Sequence, residues 1–171
     1  NRSQFFRGQV DKYTWVDIGS SYLPGEVNAA FLWAQMEEAD LITSRRLALW
    51  CSYHAAFKNL EANENIRRPV VPGHCQHNAH MYYVLLDPEI DRQKVLGDFK
   101  HNKIGSIFHY VPLHSSPAGK KYTRTHGDLS VTNKASDTLL RLPLFYDLTD
   151  LEQEYIITAV LNFFKATKNV T

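Results

Sequence analysis

Two adjacent serines, Ser20 and Ser21, lie just before a stretch of sequence that predicts a helix. Pro24 suits the first turn of a helix, where its missing N–H would be unpaired in any case, and Glu26 complements the positive end of the helix dipole. Hydroxyl groups beside the free N–H groups of a helix start can bind an anion, so a phosphate site is one interpretation of this stretch, although the residues alone favour a capping role. The alternative is that both serines only cap the helix.

Three histidines and a cysteine fall within the segment from Gly73 to His80. Histidine and thiolate are common zinc ligands, so the segment raises the question of a structural metal site. The segment is predicted to lie between two strands, however, where no regular helix would present its side chains together. The sequence also contains no second cluster to supply ligands from elsewhere. We therefore expect no bound metal.

A second segment with chemical potential contains His109, Tyr110 and His114, and it lies at the end of a predicted strand. Pro112 would end that strand because it has no N–H to donate, and loops at strand ends often carry ligand-binding residues. Imidazole and phenol groups can hydrogen-bond to sugar hydroxyls or to a diphosphate. The alternative is a pair of hydrogen-bonded histidines beside a core tyrosine.

Other residues offer weaker indications of chemistry. Residues 115–130 read as a surface loop with Lys120, Lys121 and Arg124, and a contact with nucleotide phosphates is the less favoured interpretation. Cys51 falls within a helical pattern and is expected to be buried. The sequence contains no G-x-S-x-G, P-loop or G-x-G-x-x-G motif, so it gives no indication of a nucleophilic or phosphate-loop enzyme.

The elements that position these residues are predicted from the spacing of apolar side chains. Helical spacing continues from Pro24 to Leu60, with a kink near Asp40, and at about 1.5 Å per residue this predicts a rod of roughly 50 Å. The order of the remaining elements predicts an α+β fold: a small, largely antiparallel sheet with helices on one side, in addition to the long N-terminal helix. The predicted elements are strands at 67–71, 81–86 and 104–111, a helix at 91–102, a short helix capped by Thr132, an extended segment at 141–145, and a final helix after a capping box of Thr149 and Glu152.

Composition limits the possible partners. The chain has 171 residues with a formal net charge of +1, which gives no indication of a nucleic-acid partner or an anionic membrane surface. No apolar run approaches the roughly 20 residues of a membrane span, and no signal-peptide pattern is present. Two cysteines are too few for a disulfide framework, so we expect a cytosolic protein. The chain begins with Asn1, and we expect it to be a piece of a longer protein.

Three stretches resemble a known family. The sequence GSSYLPGEVNAAFLWAQM resembles the part of the sugar-nucleotide aminotransferases (DegT/StrS type) that reads Gly-x-Asn-x-Arg-Met before an alanine-rich helix. The sequences FHYVPLH and LLRLPLFYDLTDLE are similar to two later signatures of that family. The resemblance covers nearly the whole chain, in order, and matches only the C-terminal half of these enzymes. It implies the C-terminal part of the aspartate-aminotransferase fold, with residues 1–60 as the end of the large domain plus a connecting helix, and 61–171 as the small domain.

The resemblance also implies a chemistry. Enzymes of this family are homodimers that use pyridoxal 5'-phosphate, held by a lysine, to pass an amino group from glutamate to a keto sugar nucleotide. No lysine of this chain matches the cofactor lysine, which is expected upstream of Asn1, so the isolated chain is expected to be inactive. The other possibilities are a dehydratase sibling, in which histidine replaces that lysine, and a non-catalytic ligand-binding or assembly domain.

Individual roles follow from the same resemblance. Ser21 occupies the position of the asparagine that reaches the cofactor phosphate of the neighbouring subunit, and Ser20 lies beside it. Leu23 replaces the usual arginine, which removes a cation from this position. The candidates for binding the sugar nucleotide are Arg2, Tyr22, His109, Tyr110 and His114.

Overall fold

The computed structural model describes residues 24–168, and these divide after Glu38 into two units. The first unit contains helix α1 (Glu26–Glu37). The N–H of Ala29 donates to the carbonyl of Gly25 at 2.9 Å, which makes Gly25 the residue before the helix. Pro24 therefore precedes the helix, whereas the sequence had predicted that it lies in the first turn. None of the residues of α1 is buried.

The prediction of one continuous helix as far as Leu60 is wrong. Glu38 leaves the helical conformation (φ −105°, ψ 14°), close to the kink expected near Asp40. Helix α2 then spans Ala39–Ala56 and helix α3 spans Lys58–Ala62. The second break falls at Phe57, whose side chain is completely buried, so the helix ends where this aromatic ring enters the core.

The remaining elements of the second unit follow in chain order. They are strand β1 (Ile66–Arg67), strand β2 (Tyr82–Leu86), helix α4 (Arg92–His101), a 3₁₀ turn (Leu113–Ser115), helix α5 (Pro117–Tyr122), helix α6 (Ser130–Thr138), strand β3 (Leu139–Leu142) and helix α7 (Asp150–Lys168). The surface loop expected at 115–130 thus contains helix α5. Between residues 24 and 168, no helix combines the length and the apolar character that crossing a membrane would require.

The three strands form one antiparallel sheet in the order β1–β2–β3. Tyr82 pairs with Leu142 across β2 and β3, and the strand predicted at 81–86 is confirmed. The strand predicted at 67–71 is reduced to the two residues of β1, and Pro69, which has no N–H to donate, follows soon after.

The strand predicted at 104–111 is wrong, because in this segment only Ile107 pairs with β3, through an isolated bridge to Arg141. Lys103 adopts a left-handed conformation (φ 59°), and the N–H of Ser106 donates to the carbonyl of Ile104, two residues back. This tight turn uses a backbone N–H and a backbone carbonyl that would otherwise pair with a neighbouring strand. Most side chains of residues 107–111 are also exposed, so burial does not favour a strand here.

Alternate residues of β2 face a hydrophobic core: Tyr82, Val84 and Leu86 are buried, and the residues between them are partly exposed. Helices α2 and α4 both contact α7, and all three contribute side chains to this core. Full burial of such a side chain contributes about 1.5–3 kcal/mol, so this layer dominates the stability of the unit. The predicted α+β fold, a small antiparallel sheet with helices, is confirmed.

Two helix starts can be compared with their predictions. The capping box of α7 is confirmed, since the N–H of Thr149 donates to Glu152 Oε2 at 2.9 Å and the N–H of Glu152 donates to Thr149 Oγ1 at 3.2 Å. Hydrogen bonds from Thr149 also lower the pKa of the Glu152 carboxyl. The cap predicted at Thr132 is wrong, because α6 begins two residues earlier, where Asp128 Oδ1 accepts from the N–H of Ser130.

Candidate functional site

Three predicted ligand-binding residues lie together in the irregular stretch of residues 107–115, called here the candidate segment. The rings of His109 and Tyr110 meet edge to face, with their centroids 4.8 Å apart. Tyr110 is 82% exposed, and His109 and His114 are partly exposed. Tyr110 is therefore not the core tyrosine that the alternative required, and the ligand-binding roles of the three side chains stay predictions.

Arg92, at the start of α4, fixes the first end of the candidate segment. Its guanidinium lies 5.6 Å from the centre of the Phe108 ring, within the range of a cation–π contact. The same guanidinium donates to the backbone carbonyls of Ser136 and Leu139, at the end of α6. Ile107 adds the two backbone hydrogen bonds of its bridge to Arg141. The segment thus begins on a rigid support built from two helices and a strand.

Helix α6 holds the middle and the far end of the candidate segment. Ser136 Oγ donates to the carbonyl of Tyr110 at 3.1 Å, and Asn133 Oδ1 lies 2.9 Å from Nε2 of His114. Residues three apart lie on one face of a helix, so a single face of α6 holds both ligand candidates. No periodicity in the sequence relates residue 110 to 136 or 114 to 133, which is why sequence analysis missed this support.

The 3₁₀ turn and α5 close the segment. Ser116 caps α5, since its Oγ accepts from the N–H of Gly119 at 3.0 Å, and it also donates to the carbonyl of Leu113 at 2.7 Å. Gly119 is buried so tightly against this turn that a Cβ on it would lie 1.7 Å from the Leu113 carbonyl oxygen. The close approach requires glycine at this position.

The structure describes only some of the other predicted site residues. Ser20, Ser21, Arg2 and Tyr22 lie outside the described residues. Lys120, Lys121 and Arg124 are exposed, as the surface interpretation of their segment predicted, and the ammonium of Lys121 lies 4.9 Å from the ring centre of Tyr122.

A second polar and aromatic cluster, which sequence analysis missed, lies beside α2. Trp50 stacks on His54 with 4.6 Å between ring centroids, and it meets His77 edge to face at the same distance. Together with the ion pair of Arg68 and Glu61, in which N and O are 2.7 Å apart, these rings line a cavity of about 380 Å³. His77 belongs to the histidine-rich segment, which thereby gains a packing role.

Electrostatics in this cluster follow from burial and the ion pair. Burial, followed by the charge of Arg68, lowers the pKa of His54. Burial tends to raise the pKa of Glu61, but hydrogen bonds from Arg68 and its charge outweigh that effect and lower it. Within residues 24–168, no three histidine, cysteine or acidic side chains are grouped as metal ligands would be. Cys51, expected to be buried, is exposed.

Comparison with known proteins places this arrangement in a wider context. The family model described as the DegT/DnrJ/EryC1/StrS aminotransferase family matches residues 2–161. An uncharacterized protein of Methanocaldococcus jannaschii is 26% identical over 152 residues, which is 86% of this chain and 39% of that protein.

Solved structures show the same fold. DesV of S. venezuelae, in complex with a ketimine intermediate, is 25% identical with a TM-score of 0.77, and the match covers 90% of this chain and 40% of DesV. NtdA of Bacillus subtilis, with bound cofactor PMP, is 22% identical with a TM-score of 0.64, and the match covers 73% of this chain and 29% of NtdA. The chain thus spans about two fifths of the length of the first relatives it matches.

Proposed function

Because the chain belongs to the DegT/DnrJ/EryC1/StrS aminotransferase family, we propose that it is the C-terminal part of a pyridoxal-phosphate-dependent transaminase acting on a sugar nucleotide. The proposed reaction moves the amino group of glutamate to the 4-keto group of dTDP-4-oxo-6-deoxyglucose and gives dTDP-4-amino-4,6-dideoxygalactose. The family match over residues 2–161 is the observation that carries this proposal.

The choice of substrate rests on sequence resemblance. The opening stretch NRSQFFRGQVDKYTWVDIGSSYL is similar to the enterobacterial enzyme that makes this amino sugar for a cell-surface polysaccharide, the enterobacterial common antigen. Such a reaction belongs in the cytoplasm, where sugar nucleotides are made, and we propose that location for the whole protein.

The candidate segment supplies the proposed contacts with the sugar nucleotide. Tyr110 and His109 present a phenol and an imidazole at the surface, and His114 presents a second imidazole held by α6. These groups can hydrogen-bond to sugar hydroxyls and to the diphosphate. Because the backbone carbonyl of Tyr110 is fixed by Ser136, binding would require little reordering of the chain. Arg2 and Tyr22 are proposed to contact the same substrate.

We propose that the start of α1 contributes to binding the phosphate of pyridoxal phosphate. The phosphate would lie near the start of α1, which follows Gly25, because a helix N-terminus favours an anion. Ser20 and Ser21, a few residues earlier, would add hydroxyl donors. The cofactor, when bound, supplies an electron sink for the carbon that carries the amino group. We further propose that the whole protein is a homodimer in which Ser21 reaches the phosphate held by the neighbouring subunit.

The two alternatives are less favoured. A dehydratase sibling would require that histidine replace the cofactor lysine, whereas the matched family and the solved relatives are described as aminotransferases. A non-catalytic ligand-binding or assembly role is less favoured because the matched family is described as aminotransferases.

The test uses the whole protein, which includes the residues that precede this chain. We expect purified protein with pyridoxal phosphate, glutamate and dTDP-4-oxo-6-deoxyglucose to form the 4-amino sugar nucleotide and 2-oxoglutarate, as read by mass spectrometry. The 171-residue chain alone is the control and should form neither product.

Each other outcome contradicts a defined part of the proposal. Conversion of glutamate to 2-oxoglutarate without an amino sugar would rule out this substrate but leave the transaminase. Loss of water from the sugar nucleotide without any need for glutamate would establish the dehydratase alternative. Product formed by the 171-residue chain would contradict the assignment of an incomplete site.

A further inference from the structure

The hydrogen bonds around Asn133 fix the orientation of its amide. Asn133 Nδ2 donates to the backbone carbonyl of Asp128 at 3.3 Å. A carbonyl oxygen can only accept, so the group that faces it must be the amide NH₂. The amide oxygen, Oδ1, therefore faces His114, where it lies 2.9 Å from Nε2.

The orientation of this amide determines where the proton of the neutral His114 imidazole lies. Oδ1 of Asn133 can only accept, so Nε2 of His114 must be the donor and carry the proton. The other ring nitrogen, Nδ1, then keeps a lone pair and is an acceptor. Within residues 24–168, no protein group hydrogen-bonds to Nδ1 of His114.

Backbone hydrogen bonds hold Asn133 in place, so its amide oxygen is fixed where it faces His114. Its N–H donates to the carbonyl of Leu129 at 3.0 Å, and Asp128, whose carbonyl holds the amide, also accepts from the N–H of Ser130. These bonds fix the first turn of α6 against the residues that precede it. Asn133 thus presents its oxygen to His114 from a rigid element, as hydrogen-bond partners of ligand-binding histidines commonly do.

We propose that Asn133 is a positioning residue that holds His114 in the Nε2–H tautomer and thereby presents Nδ1 as a hydrogen-bond acceptor for a hydroxyl of the sugar nucleotide. This assignment rests on the proposed function for the identity of the ligand, but the tautomer is a property of the chain itself. A merely structural contact would fix the same tautomer but would leave the binding of the sugar nucleotide unchanged.

The first experiment reads the tautomer by ¹⁵N NMR of the imidazole in this chain, at about pH 8.5, two units above the ordinary histidine pKa of about 6.5. We expect His114 to show the ¹⁵N shifts of the Nε2–H tautomer. Asn133→Leu removes the acceptor and should give a mixture of both tautomers. Asn133→Asp keeps an acceptor oxygen but favours the protonated imidazole, so its spectrum is read at a pH where the ring is neutral and should then show the Nε2–H tautomer. Thr132→Ala, at the exposed neighbouring position on α6, is the matched control and should leave the shifts of His114 unchanged.

The second experiment measures binding in the whole protein. Asn133→Leu should raise KM for the sugar nucleotide roughly three- to tenfold, the range expected for weakening one hydrogen bond. The half-reaction with glutamate should be unchanged, and Thr132→Ala should leave both measurements at their wild-type values.

The two experiments distinguish failure of this inference from failure of the proposed function. A wild-type His114 with its proton on Nδ1, or with both tautomers equally populated, overturns the inference whatever the enzyme does. An unchanged KM in Asn133→Leu, with active wild-type protein, overturns the positioning role alone. A wild-type protein that does not use the sugar nucleotide contradicts the proposed function, while the tautomer is still read from the chain.

Discussion

Tyr53 and Tyr82 are both completely buried in the same aromatic cluster, but within residues 24–168 only the hydroxyl of Tyr53 has a hydrogen-bond partner. Tyr53 donates to the carbonyl of Pro143 at 2.9 Å, which ties α2 to the chain just after β3. The hydroxyl of Tyr82 is buried, and no residue in the described range 24–168 forms a hydrogen bond with it. The rings of the two tyrosines are in contact, with centroids 5.1 Å apart, so both side chains have nearly the same surroundings. Replacing each tyrosine with phenylalanine therefore compares the loss of a bonded hydroxyl with the loss of an unbonded one.

We expect Tyr53→Phe to lower the free energy of unfolding by about 1–2 kcal/mol, because it leaves the Pro143 carbonyl without its donor. Tyr82→Phe removes an unpaired buried hydroxyl, so it should leave stability unchanged or raise it. Urea unfolding of the chain, followed by circular dichroism, measures both variants, and each serves as the control for the other. Equal destabilisation by the two changes would show that the Tyr82 hydroxyl has a partner in solution.

Single residues also show how far the sequence could predict the site. The types of His109, Tyr110 and His114 indicated hydrogen bonding to a polar ligand, and their exposure agrees with that interpretation. Their supports could not be predicted, because the contact of residue 114 with 133 depends on how α6 lies against the candidate segment. The aromatic cluster around Trp50 was missed for the same reason, since its members are distant in the chain.

At the scale of elements, local sequence chemistry predicted where helices begin better than it predicted which segments pair as strands. The capping box of α7 was predicted because Thr149 and Glu152 interact within one turn. Apolar runs were less reliable: residues 81–86 form a strand with neighbours on both sides, whereas residues 104–111, in which apolar side chains alternate with Gly105, Ser106 and His109, form a turn and a loop. The difference lies in the tight turn at Lys103–Ser106, which no hydrophobic pattern reveals.

Two glycines provide a test of how the 3₁₀ turn and α5 support the candidate segment. Gly119→Ala places a methyl group against the backbone of Leu113, so we expect a loss of about 1–3 kcal/mol and displacement of the turn that contains His114. Gly97 lies exposed in α4 with open space around it, so Gly97→Ala should raise stability by about 0.5–1 kcal/mol. Thermal unfolding measures both changes.

The ¹⁵N shifts of His114 provide the local measurement for the same pair of variants. They should move in Gly119→Ala and stay unchanged in Gly97→Ala. If Gly119→Ala proves as stable as the wild type, the close packing of α5 on the 3₁₀ turn does not persist in solution.

At the scale of the whole molecule, helix α1 carries several large apolar side chains that are exposed. Val27, Phe31 and Trp33 are 83%, 71% and 65% exposed, although the spacing of apolar residues correctly predicted a helix here. Large apolar side chains that are exposed together are typical of an interface. Since the chain spans about two fifths of its matched relatives, we propose that other parts of the whole protein cover this surface.

The proposed homodimer places Ser21, which precedes α1, beside the cofactor of the neighbouring subunit. A hydroxyl hydrogen bond to a phosphate is charge-assisted and contributes about 1.5–3 kcal/mol, so Ser21→Ala should weaken cofactor binding by roughly tenfold or more. A plain cap would instead cost about 0.5–2 kcal/mol of stability and leave the cofactor affinity unchanged. Equilibrium dialysis of pyridoxal phosphate and thermal unfolding separate these two results.

Mixed dimers of the whole protein test whether Ser21 acts across the subunit interface. Subunits with Ser21→Ala are combined with subunits that lack the cofactor lysine, and activity is assayed at limiting cofactor. In each hybrid, one site has the lysine together with an intact serine from its partner, and the other site has neither. The hybrids should therefore recover near-normal activity at one site, while both parental homodimers stay impaired. Activity no greater than the mean of the parents would show that Ser21 serves only its own subunit.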